Sequence, residues 1–229
     1  MSRNALIVGA GAGISASFAR ALARDGYKVA LAARHPDKIG SLAADIGALT
    51  VACNAVEPAE VAALFAKLDA EMGPLDVVLY NASRRSRGPL TELDAEDVRK
   101  SLLVTAYGGF LVAQAAAARM VKRGEGAILF TGASASVKGY AQSAPFAMGK
   151  FALRGLAQSM ARELQPKGIH VAHFVIDGGV ASAARVVPGD APDSLLDPDA
   201  IAASYMAVLK QPRSAWSFEL ELRPWVEKF

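Results

Sequence analysis

The stretch NALIVGAGAGIS, residues 4–15, decides the fold because it joins a short apolar run to a glycine-rich turn. Gly9, Gly11 and Gly13 are spaced by two, and a helical pattern follows over 13–25. A strand, a tight turn of small residues and a helix, in that order, let backbone N–H groups and the helix dipole meet a phosphate. The alternative is a glycine turn that serves packing alone. The position after the first strand favours phosphate binding.

The spacing of the glycines selects one version of this turn. The pattern G-x-G-x-x-G would require glycine where Ile14 stands, so it fails. The variant G-x-x-x-G-x-G fits Gly9 and Gly13 and ends in Ser15 instead of glycine. We expect the turn from Gly9 to Ser15 to bind a pyrophosphate, with the Ser15 hydroxyl donating to a phosphate oxygen.

The same alternation of strand and helix continues outward along the whole chain. Short apolar runs predict strands at 4–9, 28–33, 48–53, 75–80, 126–131, 169–176 and 215–222. Longer amphipathic runs predict helices near 13–25, 36–46, 58–72, 94–122, 145–165 and 198–210. Most of the strands lack in/out alternation, which indicates a sheet covered on both faces. We predict one α/β domain over residues 1–229, a Rossmann-type doubly wound parallel sheet of about seven strands with helices on both faces.

Composition excludes several classes of protein. The 229 residues are 52% hydrophobic and 21% charged with a net charge of +3, which argues against disorder and implies no nucleic-acid partner. A single cysteine, Cys53, excludes an intrachain disulfide. His170 and His173 should point to opposite faces of a strand, so no metal site is expected. No segment reads as long and apolar enough to span a bilayer, and we expect a cytoplasmic protein without a membrane partner.

The end of the second predicted strand indicates which dinucleotide binds. NAD sites usually place Asp or Glu there to accept a hydrogen bond from the ribose 2′-hydroxyl. Here Ala33 ends the strand and Arg34 and His35 follow. The planar, permanently charged guanidinium of Arg34 suits a 2′-phosphate, so NADP is favoured over NAD. The alternative is a surface arginine with no ligand.

Two further segments complete a resemblance to the short-chain dehydrogenase/reductase family. They are YNAS at 80–83 and FAMGKFALRGLAQSMARELQPKGIHV at 146–171, and with the glycine turn and the strand rhythm they cover most of the chain. The family's Asn-Ala-Gly segment beside the adenine matches Asn81 and Ala82. The resemblance also places Gly178 and Ser182 near the nicotinamide carboxamide, with Asp177 where the family has proline.

The family's catalytic residues carry over incompletely. The resemblance implies Tyr as general acid/base, Ser at the substrate oxygen, Lys on the nicotinamide ribose and Asn anchoring a water relay. Lys150 matches, whereas Phe146 replaces the Tyr and Thr105 falls at the Asn position. The Ser position falls on Ala133 or, with a one-residue shift, on Ser134, which is favoured because it carries a hydroxyl. An ordinary loop hydroxyl at Ser134 remains the alternative.

These residues predict an oxidoreductase that transfers hydride between NADP(H) and a small carbonyl, alcohol or imine compound. The alternative is a catalytically degenerate relative that binds NADP(H) as a sensor or scaffold, because Phe146 has no proton to give. Arg84, Arg85 and Arg87 could attract an anionic substrate, or could be a solvated loop. Family analogy favours a homodimer or homotetramer. The two tryptophans and Phe229 in the tail at 214–229 suggest packing at a subunit contact, and the alternative is an edge strand capped by its own tail.

Overall fold

The computed structural model describes residues 3–227 and shows a seven-stranded sheet in which every neighbouring pair is parallel. The strands are β1 (Arg3–Val8), β2 (Tyr27–Ala33), β3 (Leu49–Ala52), β4 (Val77–Tyr80), β5 (Gly126–Thr131), β6 (Ile169–Ile176) and β7 (Glu219–Leu222). Their spatial order is β3-β2-β1-β4-β5-β6-β7. The order reverses between β1 and β4, and the crevice at such a reversal is where open α/β sheets bind ligands. The predicted fold class is confirmed.

Helices cover both faces of the sheet. They are α1 (Ile14–Arg24), α2 (Gly40–Ile46), α3 (Pro58–Glu71), α4 (Ala95–Leu102), α5 (Gly108–Arg123), α6 (Ala144–Leu164) and α7 (Pro198–Leu209). One buried cluster joins a sheet face to α3, α5 and α6, and a second joins the opposite face to α1, α2 and α7. Successive strand residues enter opposite clusters, as Leu6 and Ile7 do in β1, which is why the strands read as continuous apolar runs.

The helix predicted over 94–122 is continuous but changes its winding partway along. Asp94 caps α4 by accepting from the Asp97 backbone N–H at 2.8 Å, as the sequence suggests. A π-helical turn, Leu103–Tyr107, then separates α4 from α5. Its wider winding changes the backbone pairing, and the Val104 carbonyl accepts a hydrogen bond from the buried Tyr80 hydroxyl. The hydrophobic periodicity of the sequence does not reveal this change from α-helical to π-helical winding.

The expectation that no segment could span a bilayer is wrong as a statement about length and composition. The continuous helical stretch Ala95–Arg123 is long and apolar enough to pass that test. Its apolar side belongs to the core, where α5 contributes Leu111, Val112 and Met120. A helix inside a folded domain meets the same criterion, so this stretch carries no argument for a membrane location.

The last strand is shorter than the predicted 215–222. Residues Arg213–Ala215 form a 3₁₀ turn, and the Gln211 side chain accepts from the Ser217 backbone N–H at 2.8 Å and donates to its hydroxyl at 2.9 Å. These contacts fix the approach to β7, which begins only at Glu219. In the tail, Trp225 is 81% exposed, while the predicted contribution of Phe229 falls outside the described residues.

Candidate active site

The glycine turn after β1 packs directly against the residues after β4. Gly9 has a φ of +82°, and a Cβ placed on it would lie 2.4 Å from the Ala82 backbone nitrogen. A Cβ on Gly11 or Gly13 would meet no protein atom within 4 Å. Gly9 is therefore required by both conformation and contact. Gly11 instead leaves the backbone open to whatever enters the cleft.

Ser15 has a different role from the one predicted. Its side chain is buried, and its hydroxyl lies 3.2 Å from the Gly9 carbonyl oxygen, to which it donates. It accepts from the Asn81 side-chain amide at 2.8 Å. The hydroxyl proton is thus directed at the turn and not at a phosphate. Ser15 and Asn81 together tie the glycine turn to the end of β4, so they shape the cleft from behind.

A cleft of about 520 Å³ opens over this turn, at the carboxyl ends of β1, β2 and β4. Gly9 and Gly11 line its floor, and Asn81 lines it beside β4. Arg34 and Lys38 line its far side, together with His35. Sequence reasoning identified Arg34 and His35 but missed Lys38, a further cation four residues beyond Arg34 that the same logic would have found.

These residues fit a phosphorylated dinucleotide. The turn offers backbone and no side chain at Gly11, where a pyrophosphate needs close approach. Arg34 and Lys38 offer two positive charges where a 2′-phosphate would lie. Among residues 3–227, the second strand ends in no carboxylate that would accept from a 2′-hydroxyl.

Lys150 is buried near the end of β5. It is 3% exposed, and its Nζ donates to the Thr131 carbonyl oxygen at 2.6 Å. Burial, with a smaller effect from the positive charge of Arg85, lowers the pKa of Lys150 to about 7. The ammonium and amine forms are therefore close in free energy at neutral pH. Thr131 was not singled out from the sequence, since it contributes only a backbone oxygen.

Phe146 lies one helical turn before Lys150 and faces a small buried cluster with Ala133 and Ala135. The Arg85 guanidinium carbon lies 4.2 Å from the centroid of its ring. The Lys150 Nζ lies 5.8 Å from the same centroid. The π-electron density of the ring thus attracts the Arg85 guanidinium and the ammonium form of Lys150, at the position where the family pattern has a phenol. Phe146 packs and positions charge, and it supplies no proton.

The structure separates the two candidates for the Ser position. Ala133 is buried against Phe146, whereas Ser134 is partly exposed and lines a second cleft. Thr105 lies in the π turn, fully buried, and its hydroxyl oxygen accepts from the Arg84 backbone N–H at 3.3 Å. A Cβ on Gly149 would lie 2.9 Å from the Thr105 Cβ, so α6 approaches the π turn closely. Thr105 is structural in this geometry.

The second cleft, of about 390 Å³, lies on the Phe146 side of the site. Ser134, Tyr140 and Gly178 contribute to its lining. The predicted nicotinamide residue Ser182 is exposed, pairs through its backbone with Arg185 and is not among the lining residues. The turn it forms with Arg185 carries Arg185 into the cleft instead. The irregular loop that contains both residues gave no sequence signal for this.

The two histidines of β6 point to opposite faces, as predicted. His170 stacks on Trp216 at 4.6 Å between ring centroids, and its Nε2 pairs with the Ser217 carbonyl oxygen. His173 Nδ1 pairs with a Glu219 carboxylate oxygen at 2.9 Å, and burial lowers the pKa of His173 to about 4. A neutral His173 donates from Nδ1, which makes it a structural partner of β7.

Comparison with curated sequences gives relatives with dehydrogenase and reductase names. The chain is 30% identical over 172 residues to the D-threitol dehydrogenase of Mycolicibacterium smegmatis, covering 73% of this chain and 66% of that protein. It is 31% identical over 169 residues to the 3-oxoacyl-(acyl-carrier-protein) reductase MabA of Mycobacterium avium, covering 74% and 64%. The matches therefore span slightly less than two thirds of the length of these relatives.

Solved structures match over almost the whole chain. A short-chain dehydrogenase from Rhodopseudomonas palustris is 36% identical with a TM-score of 0.84, covering 97% of this chain and 99% of that one. An alcohol dehydrogenase from the archaeon Thermococcus sibiricus, complexed with 5-hydroxy-NADP, is 26% identical with a TM-score of 0.89, covering 100% and 99%. The sequence model of the family described as short chain dehydrogenase matches residues 3–186 of this chain. The chain belongs to the short-chain dehydrogenase/reductase family.

Proposed function

We propose that this protein binds NADP(H) and transfers hydride between it and a small carbonyl, alcohol or imine compound. The observation that carries the proposal is the cleft over the Gly9 turn, which combines open backbone with the cations Arg34 and Lys38. The complex of the Thermococcus sibiricus relative with 5-hydroxy-NADP supports the same cofactor class.

Each part of the cleft has a defined task in this proposal. The backbone at Gly9–Gly13 and the N-terminus of α1, which begins at Ile14, hold the pyrophosphate. Arg34 and Lys38 pair with the 2′-phosphate. Asn81 holds the wall beside the adenine half, and Lys150 holds the nicotinamide ribose, as the family resemblance implies. The bound nicotinamide supplies or accepts the hydride.

Proton transfer must proceed without the usual phenol. Ser134 lines the second cleft together with two other hydroxyl-bearing residues, Tyr140 and Ser143, and we assign it to polarise the substrate oxygen because it falls at the family's Ser position. Lys150 is buried, and its pKa of about 7 lets it exchange a proton near neutral pH. A substrate that already carries its charge or proton, such as an iminium compound, requires neither group to act as a strong acid. Small carbonyl and imine substrates therefore both belong in the assay.

A second function is favoured by one specific observation. The ring of Phe146 occupies the acid position and is covered by the Arg85 guanidinium. A protein that only senses NADP(H), or that presents a scaffold when it is bound, requires the first cleft and not a proton donor. That alternative predicts tight NADPH binding without turnover of any substrate.

We also propose a cytoplasmic homodimer or homotetramer. Tyr107 and Phe110 are about two-fifths exposed near the start of α5, and their rings stack at 6.3 Å between centroids. Met148 and Phe151 are nearly half exposed on α6. Such large apolar side chains on two helices suit burial against another copy of the chain. Light scattering after size-exclusion chromatography measures the mass that decides this.

The cofactor proposal is tested by measuring the dissociation constants of NADPH and NADH by fluorescence titration. NADPH should bind at least about tenfold more tightly, and Arg34→Ala and Lys38→Ala should each reduce that ratio by about three- to tenfold. Arg24→Ala is the matched control, since Arg24 is an exposed cation outside the lining of the first cleft. Equal affinities for the two nucleotides would refute the assignment of Arg34.

The reaction is tested by following NADPH absorbance with aldehydes, ketones and imines, and NADP⁺ reduction with alcohols. Turnover of any member supports the oxidoreductase. Tight NADPH binding with no turnover across the panel contradicts the oxidoreductase and supports the sensor or scaffold.

A further inference from the structure

The second cleft carries an arginine cluster that the cofactor does not explain. Arg85 and Arg87 come from the loop between β4 and α4, and Arg185 comes from the loop between β6 and α7. The two loops are far apart in sequence and bring three guanidinium groups to one cleft. We refer to Arg85, Arg87 and Arg185 as the arginine cluster.

Two members of the exposed cluster have a neighbour that restricts them, one on each loop. Arg85 stacks on the Phe146 ring, and the Gly88 backbone N–H donates to the Gln142 carbonyl oxygen at 3.1 Å. Arg185 lies against Gly179, where an added Cβ would come within 3.0 Å of its Nη1. A fixed guanidinium loses less conformational freedom when it binds an oxyanion in bidentate geometry.

The charges in the cleft are not balanced by its own acids. Asp177 is buried, with a carboxylate oxygen 3.4 Å from Lys138 Nζ and 3.4 Å from Arg223 Nη2, so its charge is already matched. Glu227 is the other acidic side chain in the lining. Among residues 3–227 no ion pair is formed by a member of the arginine cluster. The positive charges of Arg87 and Arg185 lower the pKa of Arg85, after burial as the larger cause.

The neighbouring Arg84 does not belong to the cluster, although it stands in the same run of the sequence. Its guanidinium pairs with Asp97 on α4 at 2.8 Å, and it is absent from the lining of the second cleft. Of the three arginines in the run, one is neutralised outside the cleft and two enter it. The separation is a property of the fold that the sequence does not show.

We propose that the arginine cluster binds a terminal oxyanion, a carboxylate or a phosphate, on the substrate whose reactive carbon lies beside Ser134 and Phe146. This rests on the proposed function, since it names the substrate class of the same site. Planar guanidinium groups recognise both kinds of oxyanion through paired N–H donors. The stacking on Phe146 then gives the missing tyrosine position a purpose, because the apolar ring orients Arg85 toward the substrate.

The test compares matched probes on the full chain. Succinic semialdehyde and glycolaldehyde phosphate are the carboxylate and phosphate probes, and butanal and propanal are their neutral counterparts. The kcat/KM with NADPH should be at least about tenfold higher for one anionic probe than for its neutral counterpart. Whichever anionic probe shows the preference identifies the oxyanion.

Variants assign that preference to the cluster. Arg87→Gln and Arg185→Gln should each reduce the preference by about tenfold or more, whereas Arg84→Gln should leave it unchanged. Arg85→Gln should also reduce the preference. Because Arg85 covers Phe146 as well, the free energy of unfolding of this variant is measured by urea unfolding in parallel. A second readout is calorimetry of the two anionic probes with the full chain saturated with NADP⁺, which requires no turnover.

The outcomes separate this inference from the proposed function. Turnover of neutral and anionic probes alike, with no effect of the Gln variants, overturns the arginine subsite and leaves the oxidoreductase standing. Anion binding in calorimetry that is lost in Arg87→Gln and Arg185→Gln, without turnover, supports the subsite and contradicts the oxidoreductase. Absence of both binding and turnover overturns both.

Discussion

The pKa of Lys150 makes the stability of this protein depend on pH. Lysine titrates at 10.5 when exposed, and burial lowers the pKa of Lys150 to about 7 in the folded chain. Between these pH values the unfolded chain binds a proton that the folded chain does not, so this group makes the free energy of unfolding rise with pH. Below pH 7 both states are charged, and the buried ammonium costs about 5 kcal/mol relative to an exposed one.

The magnitude can be isolated with Lys150→Met, which keeps the length of the side chain and removes the charge. The difference in unfolding free energy, wild type minus variant, should rise by about 3 kcal/mol from pH 6 to pH 9, at up to about 1.4 kcal/mol per pH unit. The hydrogen bond to the Thr131 carbonyl is lost in the variant. An amine and an ammonium both donate this bond, so its loss shifts the whole curve far more than it changes the slope.

The assay is urea unfolding without nucleotide at pH 6, 7, 8 and 9, analysed by linear extrapolation. Lys122→Met is the control, since Lys122 is exposed at the end of α5 and should give a difference that does not change with pH. A Lys150→Met difference that is flat within about 0.5 kcal/mol across this range would falsify the argument from burial. It would mean that Lys150 stays charged in the folded protein and cannot exchange a proton near pH 7.

Three further substitutions test the site and its packing. Phe146→Tyr should create carbonyl reduction or raise its kcat/KM by about 10²- to 10⁴-fold where the other groups are in place, as measured by NADPH absorbance. No gain with any carbonyl would show that the site departs from its family in more than one place. Gly9→Ala should lower the free energy of unfolding by more than about 2 kcal/mol because Gly9 has a positive φ and an added Cβ would clash with Ala82. Gly11→Ala should leave the free energy of unfolding unchanged and weaken NADPH binding, so equal losses of stability in the two variants would contradict the distinction. Gly149→Ala should lower the free energy of unfolding by about 1–3 kcal/mol through its clash with Thr105 of the π turn, while Gly155→Ala on the same helix meets open space and should stabilise slightly. Both are measured by urea unfolding, and a stabilised Gly149→Ala would show that α6 and the π turn are not in close contact.

The sequence predicts the fold well because its signals are local and repeated. Apolar runs of strand length, separated by amphipathic runs, specify a covered parallel sheet without knowledge of any contact. The positions of Gly9 and Arg34 follow from the same logic, since both adjoin a strand end. The sheet order places them at one edge, where they line the same cleft.

The chemistry of the site is less accessible to sequence reasoning because it depends on contacts between distant segments. The sequence predicts that the Ser15 hydroxyl donates to a phosphate, yet in the structure it donates to the Gly9 carbonyl oxygen and accepts from the Asn81 amide. The family resemblance implies Ser182 near the nicotinamide, but the irregular loop exposes Ser182 and places Arg185 in the second cleft. Arg84 pairs with Asp97 while its neighbours line the second cleft, and this difference can be predicted only if the position of Asp97 is known. None of these contacts has a periodic signature.

The π turn at 103–107 also acts as a change of phase between two helices. An α-helix rotates by about 100° per residue, so one additional residue in a turn rotates everything after it by about that angle. The rotation brings the small face of α5 inward, where a Cβ on Gly108 would lie 2.5 Å from the Tyr80 hydroxyl oxygen and one on Gly109 would lie 2.6 Å from a Leu153 methyl carbon. Deleting one residue from this turn would restore uniform winding and turn bulkier side chains of α5 toward Tyr80 and α6. The length of this segment is therefore as constrained as its composition.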